Sequence, residues 1–304
     1  MKTIDLANGA IRASAIALGC WRICEITPKD AAGLIRAAMD AGINFFDNAD
    51  CYGGGRSEEI FAEAYRASAT REDIYIQTKC GIGNGYYDFS REHILEAAEG
   101  SLKRLKTDYI DVLLLHRPDA LAEPEEIAEA FDKLHRGGKV RYFGVSNHNP
   151  GQIELLLKYV KRKLIINQLQ FSVMHTGMID AGVNVNMRSE SAADHDGGVL
   201  DYCRLNGITV QAWSPLQYRN IDGVFVGDGK FPVLNECLGR IAQEKGVSAS
   251  AAAVAWILRH PAKMQPIVGT TRAARLRDLA KAAEINLSRQ EWYDIYKAAG
   301  NTLP

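Results

Sequence analysis

The chain has almost no net charge: 36 Lys and Arg against 37 Asp and Glu leave a formal value of -1. A protein whose main partner is nucleic acid or an anionic membrane needs a basic face, so both are excluded as expectations. No stretch is apolar for long enough to cross a bilayer. Met1 to Trp21 has no long apolar run after its single lysine, so no secretory leader is expected. The six cysteines (Cys20, Cys24, Cys51, Cys80, Cys203 and Cys237) show neither CxxC spacing nor the density of a disulfide framework. These absences together describe a cytoplasmic protein with reduced thiols and no metal. Low-complexity segments and midway shifts of composition are also missing, so residues 1–304 are expected to form a single domain.

What is present is a repeated alternation of apolar strands and helical sequence. Ile4 to Ser14 alternates around Asn8-Gly9, a pair suited to a type I′ turn, and reads as a β-hairpin. Strands are then expected at Ile16–Leu18, Ile43–Phe46, Ile74–Thr78, Tyr109–Leu115, Val140–Val145, Leu164–Gln168, Ile208–Trp213 and Pro266–Val268. Helical sequence follows each, with Thr27 and Asp30 resembling a capping box and Ser288 with Glu291 capping the last helix. Two long segments, 176–198 and 214–231, are expected to be loops. Eight strands each followed by helix indicate a parallel sheet closing as a (β/α)8 TIM barrel, with a doubly wound open sheet as the fallback. The absence of GxGxxG after the first strand weakens a Rossmann reading.

In a barrel of this kind, functional residues sit where strands end and βα loops begin. Those positions carry Asp47 and Tyr52, Lys79, His116, Ser146-Asn147, Gln168 and Trp213-Ser214. The set has a chemical logic. A tyrosine with its usual pKa of about 10 holds a proton at neutral pH but gives it up slowly. A nearby lysine ammonium stabilises the phenolate, and a carboxylate beyond the lysine keeps it charged and aimed. A histidine beside the phenol orients a carbonyl or relays a proton. No GxSxG or activated serine pair offers a nucleophile instead.

The motifs Phe45-Phe-Asp47-Asn-Ala-Asp-Cys-Tyr52-Gly, Ile76-Gln-Thr-Lys79, Leu113-Leu-Leu-His116-Arg-Pro and Gly144-Val-Ser146-Asn147 are followed by Ala212-Trp213-Ser214-Pro215-Leu216 and Ile267-Val-Gly269-Thr270-Thr271-Arg272. In this order they resemble the aldo-keto reductase family over essentially the whole chain. The resemblance implies a (β/α)8 barrel whose base is closed by an N-terminal hairpin, and an NADPH-dependent reduction of an aldehyde or ketone. It implies Tyr52 as general acid, Lys79 lowering its pKa, Asp47 pairing with Lys79, and His116 positioning the carbonyl. Ser146, Asn147 and Gln168 match positions that hold the nicotinamide carboxamide. Trp213 matches the aromatic residue that stacks on the ring, with plain core packing as its alternative. Gly19, Trp21, Ser214, Leu216, Ile267 and Gly269 complete the expected cofactor wall, and the loop 217–231 is expected to fold over it as a strap. Thr270, Thr271, Arg272 and Arg275 suit a 2′-phosphate at a helix start, which favours NADPH over NADH, although Leu279 stands where many members carry an asparagine. Solvated surface arginines are the other reading of Arg272 and Arg275.

Trp21, Tyr86, Tyr87 and Arg117 are the expected substrate contacts. Arg117 stands where many members have an aromatic residue; it either favours anionic or strongly polar carbonyl compounds or pairs with Asp119. The short tail after Gly300 suggests a pocket without a long lid. Two rivals remain open on sequence. One is a zinc site drawn from Cys20, Cys51, Cys80 and His116. The other is an NADPH-binding regulatory subunit with slow or no turnover.

Overall fold

The computed structural model describes residues 1–219 and 223–304. Strands β1 (Thr3–Leu6) and β2 (Ile11–Ser14) form an antiparallel hairpin. Eight parallel strands follow: β3 (Ala17–Gly19), β4 (Phe45–Asp47), β5 (Tyr75–Cys80), β6 (Ile110–Leu115), β7 (Val140–Ser146), β8 (Leu164–Gln170), β9 (Thr209–Trp213) and β10 (Gln265–Val268). They close in the order β10-β3-β4-β5-β6-β7-β8-β9. The open-sheet fallback is thereby excluded.

Helices pack outside this barrel: α1 (Pro28–Asp40), α2 (Arg56–Arg66), α3 (Arg91–Leu105), α4 (Pro124–Arg136), α5 (Pro150–Tyr159), α6 (Gly177–Val183), α7 (Val199–Leu205), α8 (Pro232–Lys245), α9 (Ala249–Arg259), α10 (Ala273–Ala280) and α11 (Arg289–Ala298). Their starts are set by local chemistry. The Thr27 hydroxyl accepts from the Asp30 amide, while Asn149 with Gln152 and Ser288 with Glu291 form reciprocal capping boxes. None of these helices is long and apolar enough to cross a membrane.

The core has two parts. A large one lies between the outer strand faces and the helices, through residues such as Phe46, Phe61, Leu113, Phe143 and Trp256. A smaller one lies inside the barrel, where Leu6, Ile11 and Ala13 of the hairpin pack with Ala17, Phe45, Val112, Leu114 and Ile166. The hairpin therefore closes the end of the barrel at which strands begin. Successive side chains of a strand point to opposite faces. Phe45 and Asp47 accordingly share the inner face of β4; Tyr75, Gln77 and Lys79 share that of β5; Val112 and Leu114 share that of β6, continued by His116. The apolar members plug the base and the polar members face the opposite mouth.

Two expectations are corrected. The hairpin turn spans Ala7 to Ala10 rather than Asn8-Gly9 alone, with left-handed φ at Ala7 (51°), Asn8 (57°) and Gly9 (89°). Segment 176–198 is not a plain loop, because α6 forms within it and Ile179 of that helix is buried. In the same segment Asp194 accepts from the backbone amides of Asp196, Gly197 and Gly198, so it shapes the turn before α7. Of the expected strap, residues 220–222 lie outside the described residues; on either side of them Gln217 and Val224 form an antiparallel bridge.

Candidate active site

The site is built at the mouth of the barrel. Strand β4 ends in Asp47, and the chain then runs to Tyr52 and three glycines with positive φ, Gly53, Gly54 and Gly55. A side chain at Gly55 would sit 2.7 Å from the Arg104 side chain, so both conformation and space call for glycine there. The tight turn leaves Tyr52 beside β5. The Lys79 ammonium, at 0% exposure, donates to the Tyr52 hydroxyl (3.0 Å), to the Asp47 carboxylate (2.8 Å) and to the Asn48 carbonyl (2.8 Å). His116, which follows β6, meets the Tyr52 ring edge-on with centroids 5.9 Å apart. Its Nδ1 lies 3.7 Å from the Cys51 sulfur.

Electrostatics separate the roles of these groups. Burial pushes the Tyr52 phenol up to about 12, against the Lys79 ammonium, which acts to lower it. Lysine alone therefore does not outweigh burial, and the expected depression of the phenol pKa is a partial offset. For Lys79, burial acts to lower the pKa, but Asp47 and Tyr52 together hold it above the usual lysine value. Burial, then the Lys79 and Arg117 charges, holds His116 well below its ordinary value and hence neutral at pH 7. The tetrad thus holds a protonated phenol, a charged lysine and a neutral imidazole at one cavity wall.

That cavity has a volume of about 560 Å³. Of the residues singled out from the sequence, Gly19, Trp21, Asp47, Tyr52, His116, Arg117, Ser146, Asn147, Gln168, Trp213, Ser214, Leu216, Ile267, Gly269, Thr270 and Arg275 line it, as does Leu279. Lys79 stands behind Tyr52. Thr271 and Arg272 do not line it, and Arg272 is exposed. Tyr86 (60% exposed) and Tyr87 (45%) are not brought to the cavity either. The Tyr86 ring lies over Gly83, and Tyr87 bridges Ile82. Arg117 does not pair with Asp119, whose carboxylate accepts from the Phe89 and Leu121 amides; its guanidinium lies 5.5 Å from the Trp213 ring centroid.

Other wall residues were not legible in advance. Arg22 follows Trp21, and its guanidinium donates to the Gly269 carbonyl (2.7 Å), tying the β3 loop to the β10 loop. Ser250 lines the cavity too, alongside Gln217, Val224 and Val226, which fall within the strap expected from the sequence. Ser250 arrives on α9, far from any strand end, so no local signal marks it.

The polar wall is ordered by its own hydrogen bonds. Ser146 donates to the Gln168 carbonyl (2.9 Å), and Asn147, at φ 62°, donates to Ser146 Oγ (2.7 Å). The Trp213 indole donates to Asn147 Oδ1 (3.1 Å), which fixes the indole plane against the cavity. Of the proposed zinc ligands, Cys20 and Cys80 turn into the core. Asp50, Cys51 and His116 bring ligand-type atoms within 4.8 Å of one another, and in the metal-free site burial and the Asp50 charge push the Cys51 thiol up to about 11.

Residues 15–299 match the Aldo/keto reductase family. The chain belongs to that family. Two relatives carry the name 6-dehydroglucose reductase: one from Novosphingobium aromaticivorans, 38% identical over 99% of this chain and 96% of its own, and one from Agrobacterium fabrum, 35% identical over 98% of each. Among solved structures, an aldo/keto reductase from Klebsiella pneumoniae in complex with NADP and acetate matches with a TM-score of 0.79 at 25% identity, covering 100% of this chain and 97% of that one. As an aldo-keto reductase the chain is an oxidoreductase, and its closed barrel with an N-terminal hairpin is the architecture of that family.

Proposed function

We propose that this aldo-keto reductase reduces an aldehyde or ketone to an alcohol with NADPH, using Asp47, Tyr52, Lys79 and His116 as its catalytic tetrad. The observation that carries the proposal is the Lys79 ammonium, buried between the Asp47 carboxylate and the Tyr52 hydroxyl. That arrangement prepares a phenol to release a proton and stabilises the phenolate left behind.

The cavity wall fits the cofactor. Gln168, Asn147 and Ser146 offer amide and hydroxyl groups to the nicotinamide carboxamide, and Trp213 offers a flat face to its ring. Ser214 and Leu216, at a backbone turn where Ser214 takes φ 52°, would hold the pyrophosphate. Thr270 and Arg275 would hold a 2′-phosphate at the start of α10. NADPH supplies the hydride; the protein supplies position, charge and the proton. Neutral His116 donates a hydrogen bond to the carbonyl oxygen as charge grows on it. Tyr52 then protonates that oxygen, and Lys79 stabilises the phenolate until solvent restores its proton.

The first substrates to try are polyhydroxylated aldehydes, beginning with the 6-dehydroglucose of the relatives' names. The Arg117 guanidinium at the cavity rim favours polar or anionic carbonyl compounds over aliphatic ones. The test is NADPH oxidation followed by absorbance across a panel of aldehydes and ketones. Tyr52→Phe should lower kcat by at least about 100-fold with NADPH affinity kept, the scale of a lost general acid. NADPH binding without turnover on any aldehyde would overturn the enzyme reading in favour of a cofactor-binding subunit. Arg275→Ala should raise the Kd of NADPH about tenfold and leave that of NADH unchanged, the loss expected for one charge-assisted phosphate contact. Equal change for both cofactors would remove Arg275 from the phosphate site.

A further inference from the structure

Beneath the tetrad, the barrel interior holds side-chain amides where a barrel of this kind usually has branched aliphatic residues. Gln265, Gln211 and Gln168 are register partners on β10, β9 and β8, and Gln77 on β5 reaches them across the barrel. All four are essentially buried. Unpaired amides would be costly there, so the pattern of donors and acceptors matters.

The pattern has one polarity, imposed from both ends. At one end the Ser14 carbonyl accepts only, so Gln265 must present Nε2 to it (2.7 Å). Its Oε1 is then left to accept from Gln211 Nε2 (2.8 Å). Gln211 Oε1 in turn accepts from both Gln77 Nε2 (2.8 Å) and Gln168 Nε2 (3.0 Å). At the other end stands the Asp47 carboxylate, also an acceptor, which takes the same two amides at 2.5 and 3.0 Å. Flipping the Gln168 amide would set its oxygen against both the Asp47 carboxylate and Gln211 Oε1. The carbonyl and the carboxylate therefore demand the same orientation of every amide between them. Gln168 Oε1 is left as the atom for the cavity, and among the described residues no donor reaches it.

We propose that Gln77, Gln211 and Gln265 are positioning residues that lock the Gln168 amide so that its Oε1 meets the cavity as an acceptor for the primary amide of the nicotinamide ring. The proposal rests on the cofactor reading above and extends it three residues into the barrel. None of the three lines the cavity, so none touches the cofactor directly.

The experiment measures the Kd of NADPH and of its 3-acetylpyridine analogue, in which a methyl ketone replaces the carboxamide and its N–H donors. Both are titrated against the wild type, Gln211→Met and Gln265→Met by quenching of tryptophan fluorescence. The wild type should prefer NADPH, and in Gln211→Met the ratio of the two constants should shrink about fivefold through weaker NADPH binding alone. Gln265→Met, one link further back, should shrink it less and tests the idea should Gln211→Met fold poorly. A general loosening of the barrel would weaken both ligands alike and leave the ratio unchanged; that outcome overturns the inference while the cofactor reading stands. Failure of the wild type to bind NADPH at all would overturn both.

Discussion

At the scale of single residues, burial decides the chemistry that residue type only suggests. Tyr52 and Lys79 were visible as strand-end candidates, but the proton affinity of the phenol depends on how little water reaches it, which no local pattern encodes. Asp50 makes the point more sharply. Burial, with the nearby Glu58 charge, pushes its carboxyl from the ordinary 3.8 up to about 7, and its Oδ1 is buried without a hydrogen-bond partner among the described residues. A carboxyl with a raised folded pKa binds its proton more tightly in the native state, so its ionisation takes stability away as pH rises from about 4 towards 7. Asp50→Asn removes that loss. It should stabilise the protein by about 1–3 kcal/mol at pH 8, discounting the full shift for residual solvation. The gain should grow between about pH 4 and 7 and level off above, as read by denaturant titration at each pH. A gain equal at every pH would mean that the Asp50 charge is not responsible.

At the scale of elements, caps and strand patterns were legible because they are local. The Thr27 and Ser288 starts each lie within one turn of the residues they cap. What was not legible depended on neighbours distant in sequence. Helix α6 was read as loop because its short stretch carries two glycines, yet Ile179 finds a buried place and Thr176 is tied to Asp180 (2.8 Å) and to Asn301 (3.1 Å). Gly144 in the middle of β7 is a second case. A Cβ there would lie 2.6 Å from the Ile166 carbonyl oxygen of β8 and 2.7 Å from Leu114 of β6, beside the register shift between β7 and β8. Backbone cannot step aside as a flexible side-chain tip can. Gly144→Ala should cost about 1–3 kcal/mol of stability, the range for an overpacked core. Because Ser146 and Asn147 follow directly, it should also weaken cofactor binding. Unchanged urea midpoint and cofactor Kd would show that the two strands separate more easily than their packing implies.

At the scale of the whole molecule, the barrel separates stability from chemistry. The hairpin residues Leu6, Ile11 and Ala13 fill the base with Phe45 and Val112, while the tetrad occupies the opposite mouth. Ile11→Ala at the base should cost about 2–4 kcal/mol, as expected for truncating a fully buried aliphatic side chain. Activity at a temperature where the variant stays folded should be nearly unchanged. The paired measurements are the thermal midpoint and kcat with the best aldehyde of the panel. A fall in kcat as large as that of a tetrad variant would show that the base and the mouth are coupled through the amide layer between them.

While closure of the eight strands came from the tertiary structure, the sequence by itself determined the alternation of strands and helices, the N-terminal hairpin, and the strand-end residues that gather at one rim. These follow from periodicity, capping and short motifs, which act over a few residues and survive without knowledge of the fold. Only the tertiary structure decided which candidates share a cavity, since Tyr86, Tyr87, Thr271 and Arg272 sit at plausible positions in the chain and lie outside it. It alone revealed Arg22 and Ser250 in the wall, the stacking of Arg117 on Trp213, and the oriented amides of Gln77, Gln168, Gln211 and Gln265. The reason is physical. A hydrogen bond across a barrel joins residues more than a hundred positions apart, and neither its direction nor the burial that gives it force is written in the neighbours of either partner.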